Sequence, residues 1–367
     1  MADNAGDSGR PGVVAAAQTG AAPLAVLAAP ATGDEFNTIG ERLVPKACFK
    51  VEDLLFDFDS SFVRPEIGAH LPQLAQLRND NKVQDLFPPL SIFGHADPVG
   101  NDDNNKKLSG RRAVAIYAML VRDVDLWEQL FTNPLGKDKW GTRAVQTMLS
   151  TVQDAIAIDG EIGDETRGAI RTFQTAQGLS VDGSAGPNTR KALYRAYMDA
   201  LCGPDLVLDK ANDFLARNQD AGGKGDFQGC SEFNPLLLFS QDEAAAFEAA
   251  SDKTERNQEN APNRRVMILL FAAGRRVNPS VWPCPRASEG VADCKKRFFP
   301  DADVRRSFQG SRRAFEDTKD TFACRFYQII SDDSPCERVK PAPPPPPVLL
   351  GVNPLILFFL IFGKTIH

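Results

Sequence analysis

The chain has 367 residues, of which 43% are hydrophobic and 25% charged, with a formal net charge of −6. This length leaves room for two or three domains. The acidic balance argues against a general nucleic-acid binder, which needs a basic face to displace phosphate counterions.

Only His70, His95 and His367 are histidines, which argues against a histidine-rich metal centre. Seven cysteines are present, Cys48, Cys202, Cys230, Cys284, Cys294, Cys324 and Cys336, with no CxxC pair. That pattern fits disulfides in an oxidising compartment better than a zinc ribbon, with reduced buried thiols as the alternative. No cofactor is expected.

Residues 1–47 begin as an Ala-, Gly-, Pro- and Thr-rich stretch without periodicity and read as a disordered leader. Val13 to Ala29 is mildly apolar, but Gln18, Thr19, Gly20 and Pro23 interrupt it and only Arg10 is basic, so it makes no convincing secretory signal. Val51 to Asp59 reads as a strand ending in acids. A helix follows, with Pro65 near its first turn and Ile67, Leu71, Leu74 and Leu77 as its apolar stripe.

Leu90 to Phe93 reads as a buried strand running into the turn Gly94-His95-Ala96-Asp97. Asn101 to Asn105 is polar and turn-rich. Leu108-Ser109 then opens a helix carrying Arg111 and Arg112, with Val114, Ile116, Tyr117 and Leu120 as apolar positions. An acid on a loop would thus face a guanidinium on the next helix. Such a pair can clamp a zwitterion, Asp97 taking an ammonium and Arg112 a carboxylate in two-pronged fashion. On spacing alone, a surface Asp and Arg that never meet is the more economical reading.

Between Trp140 and Leu193 the chain repeats itself. Ile158 to Ile170 is echoed by Val181 to Leu193, each copy an Asp-Gly turn, a further Gly, and a helix start with Thr and Arg in its first turn. Phe173-Gln174-Thr175-Ala176-Gln177-Gly178-Leu179 lies between the copies, and Val145-Gln146-Thr147-Met148-Leu149 precedes them. Farther on, Val266 to Phe271 is a continuous apolar run, as expected of a strand covered on both faces.

These phrases carry two resemblances. Phe56 to Glu66, the Gly94-to-Gly100 loop, Asn105, Leu108 to Ala113, Gly229 to Pro235 and Asn260 to Phe271 resemble the OmpA-like peptidoglycan-binding domain. The repeat resembles the small three-helix peptidoglycan-binding domain. The first resemblance implies that Asp97 and Arg112 hold the diaminopimelate of the wall's stem peptide, with Gly94, Gly100 and Asn105 as further ligand-binding candidates and backbone groups of the 94–100 loop assisting. Ala96 stands where the family has Thr or Ser. Asp59, at the end of the first strand, is a secondary ligand candidate, with a helix cap as its competing role.

The expected fold is α+β, an OmpA-like β-α-β-α-β-β sandwich interrupted by an all-α module. Its parts would be 48–126 and 204–271, with the three-helix module inserted at 127–203; the alternative is a truncated OmpA-like half followed by unrelated domains. Residues 272–340 form a third, Cys-containing unit to which no function is assigned, expected to carry two disulfides. Residues 341–367 are a Pro-rich spacer and an apolar tail, and the tail falls short of the roughly 20 residues of a spanning helix. The tail either enters a membrane, docks on a partner or packs as a terminal segment.

The expected function is a non-catalytic, periplasm-facing peptidoglycan binder that anchors the outer membrane or an envelope assembly to the sacculus. The partner is the stem peptide, outer-membrane association is open, and no nucleic acid is involved. The alternatives are a wall anchor of a contractile or phage-like apparatus and, less favoured, a wall hydrolase with appended binding modules.

Overall fold

The computed structural model describes Leu43 and residues 45–57, 59–296 and 313–314. The leader up to residue 42, the 341–367 spacer and tail, and most of 297–340 lie outside the described residues.

Strand β1 (Pro45–Glu52) alternates between buried and exposed positions, as an edge strand with one wet face should. It begins and ends earlier than the expected Val51–Asp59, because the inward set is Pro45, Ala47, Phe49 and Val51. After Glu52 the chain leaves the sheet in a single 3-10 turn at Asp53–Leu55. It then doubles back, with Arg64 N donating to Leu55 O at 2.9 Å. Asp59 sits in this reversal at φ 52°. Helix α1 (Leu71–Asp80) buries Leu71 and Leu74.

Strand β2 (Leu90–His95) is buried throughout. Helix α2 (Asp102–Val121) starts one and a half turns before the expected Leu108. The cause is Asn101, whose side chain accepts from Asp103 N and Asn104 N, with Asp102 and Asp103 complementing the helix dipole. The polar stretch that reads as a turn is therefore a capped first turn.

Helices α3 (Val124–Thr132), α4 (Gly141–Val152), α5 (Asp164–Ala176) and α6 (Pro187–Cys202) follow. The sequence repeat is a repeat of hydrogen bonds. Gln146 Nε2 donates to Asp159 Oδ1, Glu161 O and Thr166 Oγ1. Gln174 Nε2 donates to Asp182 Oδ1, Ser184 O and Thr189 Oγ1. In each copy the glutamine oxygen also accepts the N–H of the turn glycine, Gly160 or Gly183.

These helices share one hydrophobic core with α1 and α2. Phe62, Trp127, Trp140 and Tyr197 form an aromatic cluster in which the two indoles meet edge-on, with centroids 5.1 Å apart. Each polar handle finds an acceptor: Trp127 Nε1 on Ala115 O, Trp140 Nε1 on Ser61 Oγ and Tyr197 OH on Val63 O.

Strand β3 (Phe227–Gly229) pairs parallel to β2. The Gly229-to-Pro235 phrase thus ends the strand and does not form it. Strand β4 (Leu237–Leu238) lies outside the main sheet, paired with β6 (Arg313–Ala314). Helices α7 (Gln241–Ala249) and α8 (Thr254–Glu259) lead to β5 (Arg265–Phe271). The sheet order is β1-β5-β2-β3, with β5 antiparallel to both neighbours and buried at all seven positions.

One face of β5 (Val266, Ile268, Leu270) meets the core under α1 and α2. The other face (Met267, Leu269, Phe271) packs with Val277, Trp282 and Cys284. The described part of the third unit therefore covers the second face of the sheet.

Two disulfides within 272–340 are not what the described residues show. Among them no disulfide joins two cysteines, and Cys284 and Cys294 are not disulfide-bonded. Cys48 is disulfide-bonded. Among the described residues no helix is long and apolar enough to cross a membrane, and no cluster of His, Cys, Asp or Glu could hold a metal ion.

Candidate functional site

A cavity of about 510 Å3 opens where β2 ends and α2 begins. Three carboxylates, Asp53, Asp59 and Asp97, line it with five cationic side chains, Arg112, Lys137, Lys253, Arg256 and Arg264.

Close packing fixes the loop above β2. A Cβ on Gly94 would lie 1.9 Å from Ser109 O, so only glycine lets α2 cross the strand this closely. Gly100 adopts φ +98°, a left-handed turn that glycine takes without strain. Asn105 Nδ2 ties the loop down, at 3.1 Å from both Asp97 O and Val99 O and 2.6 Å from Glu232 Oε2. Asn105 therefore shapes the loop, as Gly94 and Gly100 do.

Asp97 Oδ1 accepts from Val99 N at 2.9 Å, an Asx turn that orients the carboxylate. Its other oxygen accepts from Arg264 Nη1 at 2.6 Å. Arg112 is only 2% exposed. It donates to Ser60 O and to Asp53 Oδ1, each at 2.9 Å, and its guanidinium lies 4.8 Å from the Phe56 ring centroid.

Asp97 and Arg112 thus share the cavity without touching, and Arg264 with Asp53 stands between them. Arg264 Nε donates to Asp53 Oδ2 at 2.7 Å, and its Nη2 donates to Asn257 O at 2.8 Å. Burial works against the Arg264 charge, but Asp53 and Asp97 more than offset it and hold its pKa above the ordinary value. His95, also in the lining, is driven well below its ordinary pKa by burial and by Arg265, and is neutral at pH 7.

Asp59 caps no helix. It sits on the rim with its carboxylate 3.5 Å from Lys137 Nζ. Asp53, Arg264, Lys253 and Arg256 join the site in the folded chain although the sequence reading places none of them there. The Asn-Arg-Arg-Val phrase contains Arg264, and Asp53 is the first acid after the β1 alternation, so both had a signal. Lys253 and Arg256 belong to no motif.

Comparison with known proteins finds two stretches of the chain that match known families. Residues 55–143 match the OmpA family, and residues 141–193 match a putative peptidoglycan binding domain. The chain thus contains an OmpA family domain and a peptidoglycan-binding domain.

Outer membrane protein 41 of Porphyromonas gingivalis is 33% identical over 95 residues, 24% of this chain and 23% of that protein. Outer membrane protein A of Bordetella avium is 35% identical over 85 residues, covering 23% of this chain and 42% of that protein. A zinc D-Ala-D-Ala carboxypeptidase of Streptomyces albus G is 46% identical over 44 residues, covering 12% and 17% respectively. The chain spans less than half the length of each.

Proposed function

We propose that this protein is a non-catalytic peptidoglycan binder of the cell envelope, which anchors the outer membrane or an envelope assembly to the sacculus. In this reading Asp97 takes the ammonium of diaminopimelate on the stem peptide and Arg112 its carboxylate. The observation that carries it is the shared cavity: the loop acid and the helix guanidinium line one space, inside the stretch that matches the OmpA family.

The helical module at 127–203 reads as an insertion into an OmpA-like unit that resumes at 204–271. Supporting this, β3 and β5 rejoin β2 in one sheet after the helices. Two wall-binding modules on one chain make the second contact intramolecular and raise apparent affinity, provided both can engage at once. Here their spacing is set by a continuous core and by Asp138. Buried between α3 and α4, Asp138 accepts from Ser60 Oγ, Ser61 N, Ser61 Oγ and Arg111 Nε.

The test is co-sedimentation of the full chain with purified sacculi, beside an Asp97→Ala, Arg112→Ala double variant. Wild type should sediment and the variant should lose most of its binding. Equal sedimentation would move the function to the helical module. Clearing of the sacculus suspension would contradict the non-catalytic reading.

A further inference from the structure

We propose that Lys253 and Arg256 form a second anion-binding point in this cavity. They would read a carboxylate of the bound peptide other than the two of its diamino acid. The proposal rests on the reading of the cavity as a stem-peptide site and adds a ligand requirement to it.

The cations of the lining fall into two kinds. Arg112 and Arg264 are already matched, sharing Asp53, and Arg264 also holds Asp97. Lys253 and Arg256 are not matched in this way. Lys253 Nζ is held by two backbone carbonyls, Phe247 O at 2.7 Å and Glu248 O at 2.5 Å. Those dipoles position the ammonium without neutralising it, and among the described residues no carboxylate pairs with it.

Arg256 reaches Asn257 Oδ1 at 3.2 Å, and Glu248 only at 3.6 Å, where that carboxylate is 81% exposed. Its Nε is buried and has no acceptor. A buried guanidinium N–H without an acceptor is costly to keep, and a ligand oxygen entering the cavity would relieve that cost.

Charge balance points the same way. Five cations face three carboxylates, and a zwitterion brings no net charge to correct the excess. A peptide with a further free carboxylate does. The segment is also coupled to the clamp, because Arg264 Nη2 bonds the carbonyl of Asn257. The ligand class is therefore an anionic peptide bearing a zwitterionic diamino-acid end and at least one additional carboxylate.

Calorimetric titration of the full chain with three soluble probes tests this. The probes are free meso-diaminopimelate, the tripeptide L-Ala-γ-D-Glu-meso-diaminopimelate, and the same tripeptide with its D-Glu α-carboxylate amidated. Wild type should bind the tripeptide about tenfold more tightly than its amidated form. A Lys253→Gln, Arg256→Gln variant should bind the two tripeptides alike. Equal affinity of wild type for the two tripeptides overturns the proposal while leaving the clamp standing, and needs no variant to fold. A variant that keeps the tenfold preference also overturns it. If none of the three probes binds, the stem-peptide reading falls and this proposal with it.

Discussion

Arg264 Nη1 lies 2.6 Å from Asp97 Oδ2, so the loop carboxylate proposed to take a ligand ammonium already holds a guanidinium. Binding at this site is then an exchange, in which the incoming ammonium shares or displaces Arg264. Arg264 keeps Asp53 in either case.

The exchange separates the roles of the two predicted clamp residues. Asp97→Asn leaves Arg264 bonded to Asp53 and Asn257, so the fold should survive with a change of about 1 kcal/mol, while sacculus binding is lost. Arg112→Ala removes a buried guanidinium that supports Ser60 O, Asp53 and the Phe56 ring. It should cost about 3 kcal/mol as well as binding. Urea unfolding of both variants beside the sedimentation assay checks this, and equal destabilisation by the two would contradict it.

Close glycine contacts position α2 and with it Arg112. A Cβ at Gly94 would lie 1.9 Å from Ser109 O, and one at Gly229 would lie 2.5 Å from Gly110 N. Both obstacles are backbone, so a rotamer change gives no relief. Gly94→Ala and Gly229→Ala should each cost about 3 kcal/mol through overpacking. Gly100→Ala meets nothing within 4 Å and is strained only by its φ of +98°, so it should cost about 1 kcal/mol. Thermal melts of the three variants give the ranking directly.

Asp138 ties the helical module to the sheet unit. It is 1% exposed and satisfies two serine hydroxyls, a backbone N–H and Arg111. Asp138→Ala would leave Arg111 with only the backbone carbonyls of Asn133 and Leu130. The expected cost is about 3–5 kcal/mol, the range for removing one partner of a buried pair. Hydrogen exchange should show amides of α4 losing protection before those of β5. Uniform loss across both would show that the contact stabilises the whole without coupling its parts.

What could be read in advance divides along physical lines. The β5 run and the glutamine repeat were legible because each is local: continuous apolarity marks a doubly covered strand, and an Asp-Gly turn announces itself. The start of α2 was hidden because Asn101 to Lys107 shows no apolar period, and only the cap chemistry at Asn101 betrays it. Lys106 reads as a surface residue yet is fully buried, its Nζ on the carbonyls of Arg286 and Glu289. The Asp53–Arg264 pair joins residues 211 apart in the chain, beyond the reach of any periodicity. Motif placed Asp97 and Arg112 in one cavity, but their partners depend on tertiary packing.

Asp226 gives the last prediction. It is 1% exposed beside β3 and accepts from Ala216 N at 2.6 Å and Asn218 N at 2.7 Å. Burial raises its pKa to about 7 despite those donors. The native state then holds a proton that the unfolded chain, with a carboxyl near its ordinary value of 3.8, has released. Stability from this group is complete below that value and is lost as pH rises toward 7, at up to about 1.4 kcal/mol per pH unit. His95 acts in the opposite sense: its folded pKa is depressed, so its contribution grows with pH until the free imidazole deprotonates near 6.5. The wild-type profile sums the two and can look flat. Comparison with Asp226→Asn isolates the carboxyl, because the amide cannot titrate. The stability of this variant relative to wild type should rise between pH 5 and 7 and level off above. Urea unfolding at four pH values measures it, and parallel curves for the two proteins would mean that Asp226 is ionised throughout.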